Sequence, residues 1–130
     1  MNLPESPDVI YLGRLSEADK AAAIRDAELV VQPSQYESFS INTLEAFLSE
    51  VPVVANVASE VLKGHCLRSQ AGLYYNGFHE FDAAVTRLLT EAPLREEFGR
   101  NGARYVKDNY SWDVITGKYL DFLRRIKANT

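Results

Sequence analysis

The sequence has little cysteine, no excess of basic residues and no long hydrophobic run. One cysteine, Cys66, excludes an internal disulfide framework and indicates a reducing compartment. Fourteen basic against eighteen acidic residues give a net charge of −4, which argues against a nucleic-acid-binding protein. No apolar stretch approaches the roughly 18 residues of a membrane span. Residues 1–5 lack the basic-then-apolar pattern of a signal peptide, so we expect a cytoplasmic chain.

What is present indicates one globular α/β domain. The length of 130 residues fits a single domain, and 46% of the residues are hydrophobic. Short, continuous apolar runs predict strands buried on both faces, at residues 9–12, 29–31, 51–55 and 73–75. Helical patterns separate or follow them, with N-caps expected at Ser16, Ser40 and Ser111 and a first-turn proline at Pro93. The segment between the third and fourth strands is expected to be a loop.

This order predicts a partial Rossmann-like parallel sheet of about four strands with flanking helices and a helical C-terminal segment. The aromatic residues Tyr74, Tyr75, Trp112 and Phe122 are expected to pack in or near its core. Ligands of such sheets bind beyond the carboxyl ends of the strands. The candidate regions are therefore residues 13–16, 32–42, 55–69 and 76–79.

The crossover after the second predicted strand carries the chemistry. Free N–H groups of Ile41, Asn42 and Thr43 at a helix start would form an anion site. Glu37 precedes this site and Glu45 follows it one turn inside the helix. Carboxylates repel phosphate, so both are better suited to accept hydrogen bonds from sugar hydroxyls.

These residues also carry a family resemblance. Glu37 and Glu45 have the Glu-x7-Glu spacing of retaining GT-B glycosyltransferases. The surrounding Pro-Ser-x-x-Glu-x-Phe-x-x-x-x-Leu-Glu-Ala resembles glycosyltransferase family 4. Further landmarks match in order at residues 52–55, 64–69, 72–74 and 110–113, so the resemblance runs from about residue 9 to residue 123.

The resemblance implies a role for each part of the segment. Glu37, the candidate catalytic residue, matches the glutamate that hydrogen-bonds the donor sugar, and Glu45 matches the one that holds the ribose. The rest of the donor site follows along the chain: Ser38, Phe39 and Ser40 around the sugar and distal phosphate, the amides of Ile41 and Asn42 on the pyrophosphate, and Arg14 and Leu15 beside the base.

The implied reaction transfers a hexosyl group from a UDP- or GDP-sugar to an acceptor with retention of anomeric configuration. Fixed N–H dipoles would stabilise the departing diphosphate, so no metal and no other cofactor is expected. The family often has glycine where Ser38 and Ser40 stand. It also usually ends this helix with glycine, where Glu50 stands here. A left-handed non-glycine residue costs about 1–2 kcal/mol, which leaves a different helix end open.

The resemblance also implies what is missing. Family members have an N-terminal acceptor domain and two earlier strands of the donor domain. Residues 1–130 are therefore interpreted as a single truncated donor-binding domain, inactive alone, and only the full-length enzyme would reach the inner-membrane surface as a peripheral protein. Loss of those strands would bare the edge of the strand at residues 29–31, so either residues 9–12 pair with it or a homodimer forms there.

Three other functions are alternatives to the glycosyltransferase interpretation. A non-catalytic sugar-nucleotide-binding or protein-interaction module remains open. A response regulator is disfavoured because the first two strand ends carry no acidic cluster, and a non-hydrolysing sugar-nucleotide epimerase is disfavoured by the Glu-x7-Glu context. His65 and Cys66 are too few for a complete metal site, and Cys66 is expected to be buried. Arg68 is left between a phosphate contact and a salt bridge.

Overall fold

A computed structural model describes residues 6–130, and residues 1–5, on which the signal-peptide prediction rests, lie outside the described part. Strands and helices alternate along the chain, as the α/β interpretation requires. The elements are α1 Glu17–Arg25, β1 Val30–Gln32, α2 Ile41–Leu48, β2 Val53–Asn56, α3 Glu60–Ser69, β3 Gly72–Tyr75, α4 Phe78–Thr90, α5 Ala92–Tyr110 and α6 Trp112–Ala128.

The strands form a parallel sheet in the order β1-β2-β3, with Val30 opposite Val53 and Val53 opposite Gly72. The central strand β2 is buried on both faces, as its continuous apolar run predicts. Val53 joins the main core with residues of α2, α3 and α5, whereas Val54 faces the second cluster, with α4. β1 and β3 are the sheet edges in the described chain and are only partly buried.

The strand predicted at residues 9–12 is wrong. These residues are exposed, with Tyr11 80% accessible, and they pair with no strand of the described chain. Gly13, at φ +63°, turns the chain immediately after them. The outer edge of β1 therefore has no partner within residues 6–130, and its pairing with a second copy stays a prediction.

The loop predicted between the third and fourth strands is a helix, α3. Ser59 caps it by accepting a hydrogen bond from the Leu62 N–H at 3.3 Å. Its buried residues Leu62, His65, Cys66 and Ser69 follow the helical spacing i, i+3, i+4, i+7. Two of these four are polar, which hid the buried face from a search for apolar periodicity.

The end of α2 keeps the geometry of a glycine end although Glu50 occupies the position. Glu50 has φ +61°, its N–H donates to Phe47 O at 3.0 Å, and the Val51 N–H donates to Ala46 O at 2.9 Å. These are the two bonds of a Schellman motif. The different helix end considered from the sequence is therefore not adopted.

The core placement expected for several aromatic residues is also wrong. No residue of α6 is buried, Trp112 is 84% accessible, and Phe122 and Tyr74 are exposed too. The main contact of α6 is with α5, and most of its apolar side chains stay uncovered within residues 6–130. Tyr75 is half-buried and packs edge-to-face on Phe81. None of the described helices is long and apolar enough to cross a membrane.

Two glycines permit close approaches that place the helices. A Cβ on Gly99 of α5 would lie 2.4 Å from the Glu50 carbonyl oxygen. A Cβ on Gly72 of β3 would lie 2.6 Å from Val53 O and 2.8 Å from the Cys66 sulfur. Both positions therefore set the distance between a backbone and its neighbour.

We expect Gly99→Ala to destabilise the fold by about 1–3 kcal/mol, because the added methyl group meets backbone rather than a movable side chain. The matched control is Gly117→Ala in α6, where an added Cβ meets nothing within 4 Å. That control should raise stability by up to about 1 kcal/mol through helix propensity. Urea unfolding followed by circular dichroism measures both, and equal stability of the two variants would contradict the packing argument.

Candidate functional site

Three of the four candidate regions meet at the carboxyl edge of the sheet. Asn56, at the end of β2, donates through Nδ2 to Pro33 O at 3.1 Å and accepts at Oδ1 from the Ala58 N–H at 3.0 Å. Residues of the regions 32–42, 55–69 and 76–79 together line an open crevice of about 520 Å³. Its walls include Pro33, Gln35, Asn56, Ala58, Asn76, Gly77 and Phe78.

The turn between β1 and α2 has an unusual backbone. Ser40 stands at the N-cap position in the left-handed region, at φ 62° and ψ 69°. Its side chain caps no N–H group, which corrects the expected serine cap, because this backbone brings its Oγ to 2.9 Å from Thr43 Oγ1. A left-handed non-glycine residue costs about 1–2 kcal/mol. The family's frequent glycine at this position was the signal in the sequence.

Two amides remain available at the start of α2. The Ser40 carbonyl accepts the N–H groups of Thr43 at 3.1 Å and Leu44 at 3.4 Å. Thr43 was therefore wrongly predicted to offer a free amide. The N–H groups of Ile41 and Asn42 have no acceptor within residues 6–130. They are the partially positive donors expected at a helix N-terminus.

A buried polar network supports this turn from beneath. His65 of α3 is 1% accessible, and its Nε2 lies 2.8 Å from Phe39 O. Its Nδ1 lies 3.0 Å from the Tyr105 hydroxyl, which also receives a hydrogen bond from Arg68 Nε at 3.2 Å and lies 3.3 Å from the Tyr110 hydroxyl. Burial lowers the pKa of His65 and the nearby Arg68 charge lowers it further, against the Phe39 carbonyl. The ring is therefore neutral at pH 7.

Neither His65 nor Arg68 was assigned this position from the sequence. No apolar periodicity indicated the buried position of the histidine, because two of the four residues on that face of α3 are polar. Arg68 forms no salt bridge in the described chain, which removes one of its two expected roles. Its hydrogen bond to Tyr105 raises the pKa of Arg68, so the guanidinium stays charged.

Glu45 has one paired and one unpaired oxygen. Its Oε1 lies 3.1 Å from Lys20 Nζ, and its Oε2 is buried with no hydrogen-bond partner in the described chain. Lys20 also pairs with Glu17 at 2.9 Å, and the hydrogen bonds to Glu17 and Glu45 raise the pKa of Lys20. Sequence reasoning missed Lys20; the Glu17–Lys20 spacing of i, i+3 signalled only the local pair.

A second open cavity, of about 300 Å³, lies between α1, β1 and the start of α2. Leu15, Lys20, Gln32 and Asn42 are among the residues that line it. Leu15, predicted beside the base, and Asn42, predicted on the pyrophosphate, thus line one cavity beside the cation that pairs with Glu45.

The remaining predicted residues are not brought to that cavity. Glu37 is half-buried in the β1–α2 loop and lines neither cavity, and its carboxylate has no hydrogen-bond or ion-pair partner within residues 6–130. Ser38 and Arg14 are exposed, and Phe39 is 42% accessible, with its ring edge-to-face on His65 and Tyr110. Joint binding of one donor by Glu37 and Glu45 stays a prediction.

Cys66 is buried, as expected, and burial raises its pKa to about 12. Near neutral pH it is therefore a thiol. The thiolate, not the thiol, binds metals and acts as a nucleophile. Within the described residues no three His, Cys, Asp or Glu side chains are grouped to hold a metal ion.

Comparison with known proteins decides the family. The family model described as glycosyl transferases group 1 matches residues 2–105. This chain belongs to that family. The glycosyltransferase 1 domain-containing protein 1 of Xenopus tropicalis is 30% identical over 98% of this chain and 37% of its own length. The MMP alpha-(1->4)-mannosyltransferase of Mycolicibacterium hassiacum is 30% identical over 85% of this chain and 28% of its own length.

A solved structure shares the fold. Sucrose-phosphate synthase from Thermosynechococcus elongatus superposes with a TM-score of 0.80, at 23% identity, over 93% of this chain and 31% of that one. The family resemblance and the partial GT-B type of α/β fold are thus confirmed, with three strands in the described residues rather than about four. The chain spans about a third of the length of the curated relatives it matches.

We expect Cys66 to resist thiol reagents in the folded chain at pH 8, because its buried sulfur stays protonated. A chromogenic disulfide should label Cys66 only as urea unfolds the chain. Gly117→Cys supplies the control, since that exposed thiol should react at once while Cys66 does not. Rapid labelling of both thiols in the native protein would contradict the described burial.

Proposed function

We propose that this chain forms the donor-binding part of a retaining glycosyltransferase that takes a hexosyl group from a UDP- or GDP-sugar. One observation carries the proposal. The Ile41 and Asn42 amides at the start of α2 have no acceptor in the described chain, and Glu45 in the same helix keeps a buried oxygen without a partner. Helix N-termini bind phosphates.

The proposed chemistry is electrostatic. When the sugar leaves the nucleotide, negative charge grows on the diphosphate, and the fixed amides of Ile41 and Asn42 stabilise it without reorganisation. Glu45 accepts a ribose hydroxyl once its carboxylate turns Oε2 out of its buried position, while Lys20 holds Oε1. Glu37 accepts hydroxyl groups of the donor sugar. Ser38, Phe39 and Ser40 shape the turn around it, and Leu15 and Arg14 border the base.

The proposal assigns the other half of the reaction to chain beyond these residues. The sequence covers about a third of its curated relatives, and the proposed acceptor domain and the remaining diphosphate contacts would belong to the longer enzyme. We therefore expect the 130-residue chain to bind the donor without transferring sugar. The single cysteine supports a reducing, cytoplasmic compartment, and a peripheral membrane position is proposed for the full-length enzyme alone.

A protein-interaction module is the second candidate, favoured by a separate observation. The apolar side chains of α6, including Trp112 and Tyr119, are exposed in the described chain. Patches of this kind commonly mark interaction surfaces. This reading predicts a folded chain that binds no nucleotide.

Isothermal titration with UDP, GDP and their hexose conjugates tests the proposal. Hydrogen bonds to charged groups contribute about 1.5–3 kcal/mol. Glu45→Gln should therefore lower the affinity for nucleoside diphosphates and for sugar nucleotides about tenfold or more. Glu37→Gln should weaken only the sugar nucleotides, because its proposed partner is the sugar. Glu97→Gln, an exposed acid on α5, is the matched control and should change neither.

The same titrations repeated with EDTA should give unchanged affinities, since amide dipoles take the role of a metal in this proposal. Absence of binding by the folded wild-type chain would favour the interaction module. Turnover of a sugar nucleotide by the purified chain would contradict its assignment as a donor-binding part only.

A further inference from the structure

With His65 neutral, the two ends of the network beneath the β1–α2 turn determine the direction of each hydrogen bond in it. A backbone carbonyl can only accept, so the Phe39 oxygen requires the proton of neutral His65 to sit on Nε2. His65 Nδ1 then accepts from the Tyr105 hydroxyl. A guanidinium can only donate, so Arg68 gives its Nε–H to the Tyr105 oxygen, and the Tyr110 hydroxyl donates there too.

The network ends at the peptide bond between Phe39 and Ser40, which lies just before the amides of the anion site. The Phe39 carbonyl belongs to the same peptide plane as the Ser40 N–H, so fixing that oxygen fixes one side of left-handed Ser40. The Ser40 carbonyl is fixed on the other side by the N–H groups of Thr43 and Leu44. Between these two anchors, Ser40 has a single orientation, and it determines where the next amide, that of Ile41, points.

We propose that His65 is a positioning residue that acts as its Nε2–H tautomer, holding the Phe39 carbonyl so that the Ile41 and Asn42 amides face a nucleotide diphosphate. This inference rests on the proposed function. With 1% of its surface accessible, His65 cannot itself touch a ligand, so it acts through the turn. The Phe39 carbonyl selects the tautomer, and Tyr105, held by Arg68, matches it by presenting its O–H to Nδ1.

Substitution of His65 by Gln or Asn distinguishes its hydrogen bond to Phe39 from its hydrogen bond to Tyr105. The side-chain nitrogen of His65→Gln reaches the place of Nε2 and can donate to the Phe39 carbonyl. His65→Asn is shorter, reaches only the place of Nδ1 and keeps a bond to Tyr105 alone. Both variants bury a polar amide in the same position, so a merely structural role predicts similar losses for the two.

Nucleoside diphosphate affinity of the 130-residue chain is the first measurement, with UDP and GDP as probes. A neutral hydrogen bond predicts about tenfold weaker binding for His65→Asn and near wild-type binding, within about threefold, for His65→Gln. Leu62→Val is the stability control, because Leu62 is fully buried on the same face of α3 and makes no bond to the turn. It should lower urea stability without changing affinity. Equal affinity losses for the Gln and Asn variants would overturn the proposal.

A ligand-free measurement keeps this proposal separate from the donor-site proposal. Nitrogen-15 correlation spectra of the wild-type ring should show a protonated Nε2 and a bare Nδ1. The amide signals of residues 40–42 should shift in His65→Asn and stay near their wild-type positions in His65→Gln. A chain that binds no nucleotide but shows these spectra would refute the proposed function alone. An Nδ1–H tautomer, or unmoved signals in His65→Asn, would refute the role of His65.

Discussion

The contact of α5 with α2 is the constraint on which the site depends. Gly99 lies against the Glu50 carbonyl, and an added Cβ on Gly102, three residues later, would lie 3.0 Å from the Phe47 Cβ. Tyr105 follows after another three residues on the same face, where its hydroxyl meets His65. One stripe of α5 therefore holds the end of α2 and, through Tyr105 and His65, supports the turn at its start.

The parts of the fold that could be predicted are those whose pattern is local. The run around Val53 and Val54 identified the central strand, because both faces of β2 are covered by apolar neighbours. α3 could not be found by apolar periodicity, since His65 and Ser69 occupy half of its buried face. Residues 9–12 have strand-like composition but no partner in the described chain, and strand formation depends on pairing as much as on propensity.

The candidate site also has features that could be predicted from the sequence and features that could not. The helix start at Ile41 and the exposure of two amides followed from the sequence, because a crossover helix must begin at the carboxyl edge of the sheet. The left-handed Ser40, the loss of the Thr43 amide and the pairing of Lys20 with Glu45 depend on local backbone geometry and on contacts between α1 and α2. Such contacts leave no periodic signal. The α6 side chains were misplaced for the opposite reason: their amphipathic pattern shows that a face is apolar, not that this part of the chain covers it.

The close approach at Gly72 extends the functional neighbourhood into the sheet. This strand residue lies against the sulfur of Cys66, the immediate neighbour of His65 in α3. A side chain at position 72 would meet both the Val53 carbonyl and the Cys66 sulfur, so β2 or the helix that carries the imidazole would have to shift. A mutational scan scored by ligand capture would therefore recover position 72 as intolerant, although it contacts no ligand, and a map of sensitive positions would trace the support of the turn as well as the groups that touch the nucleotide.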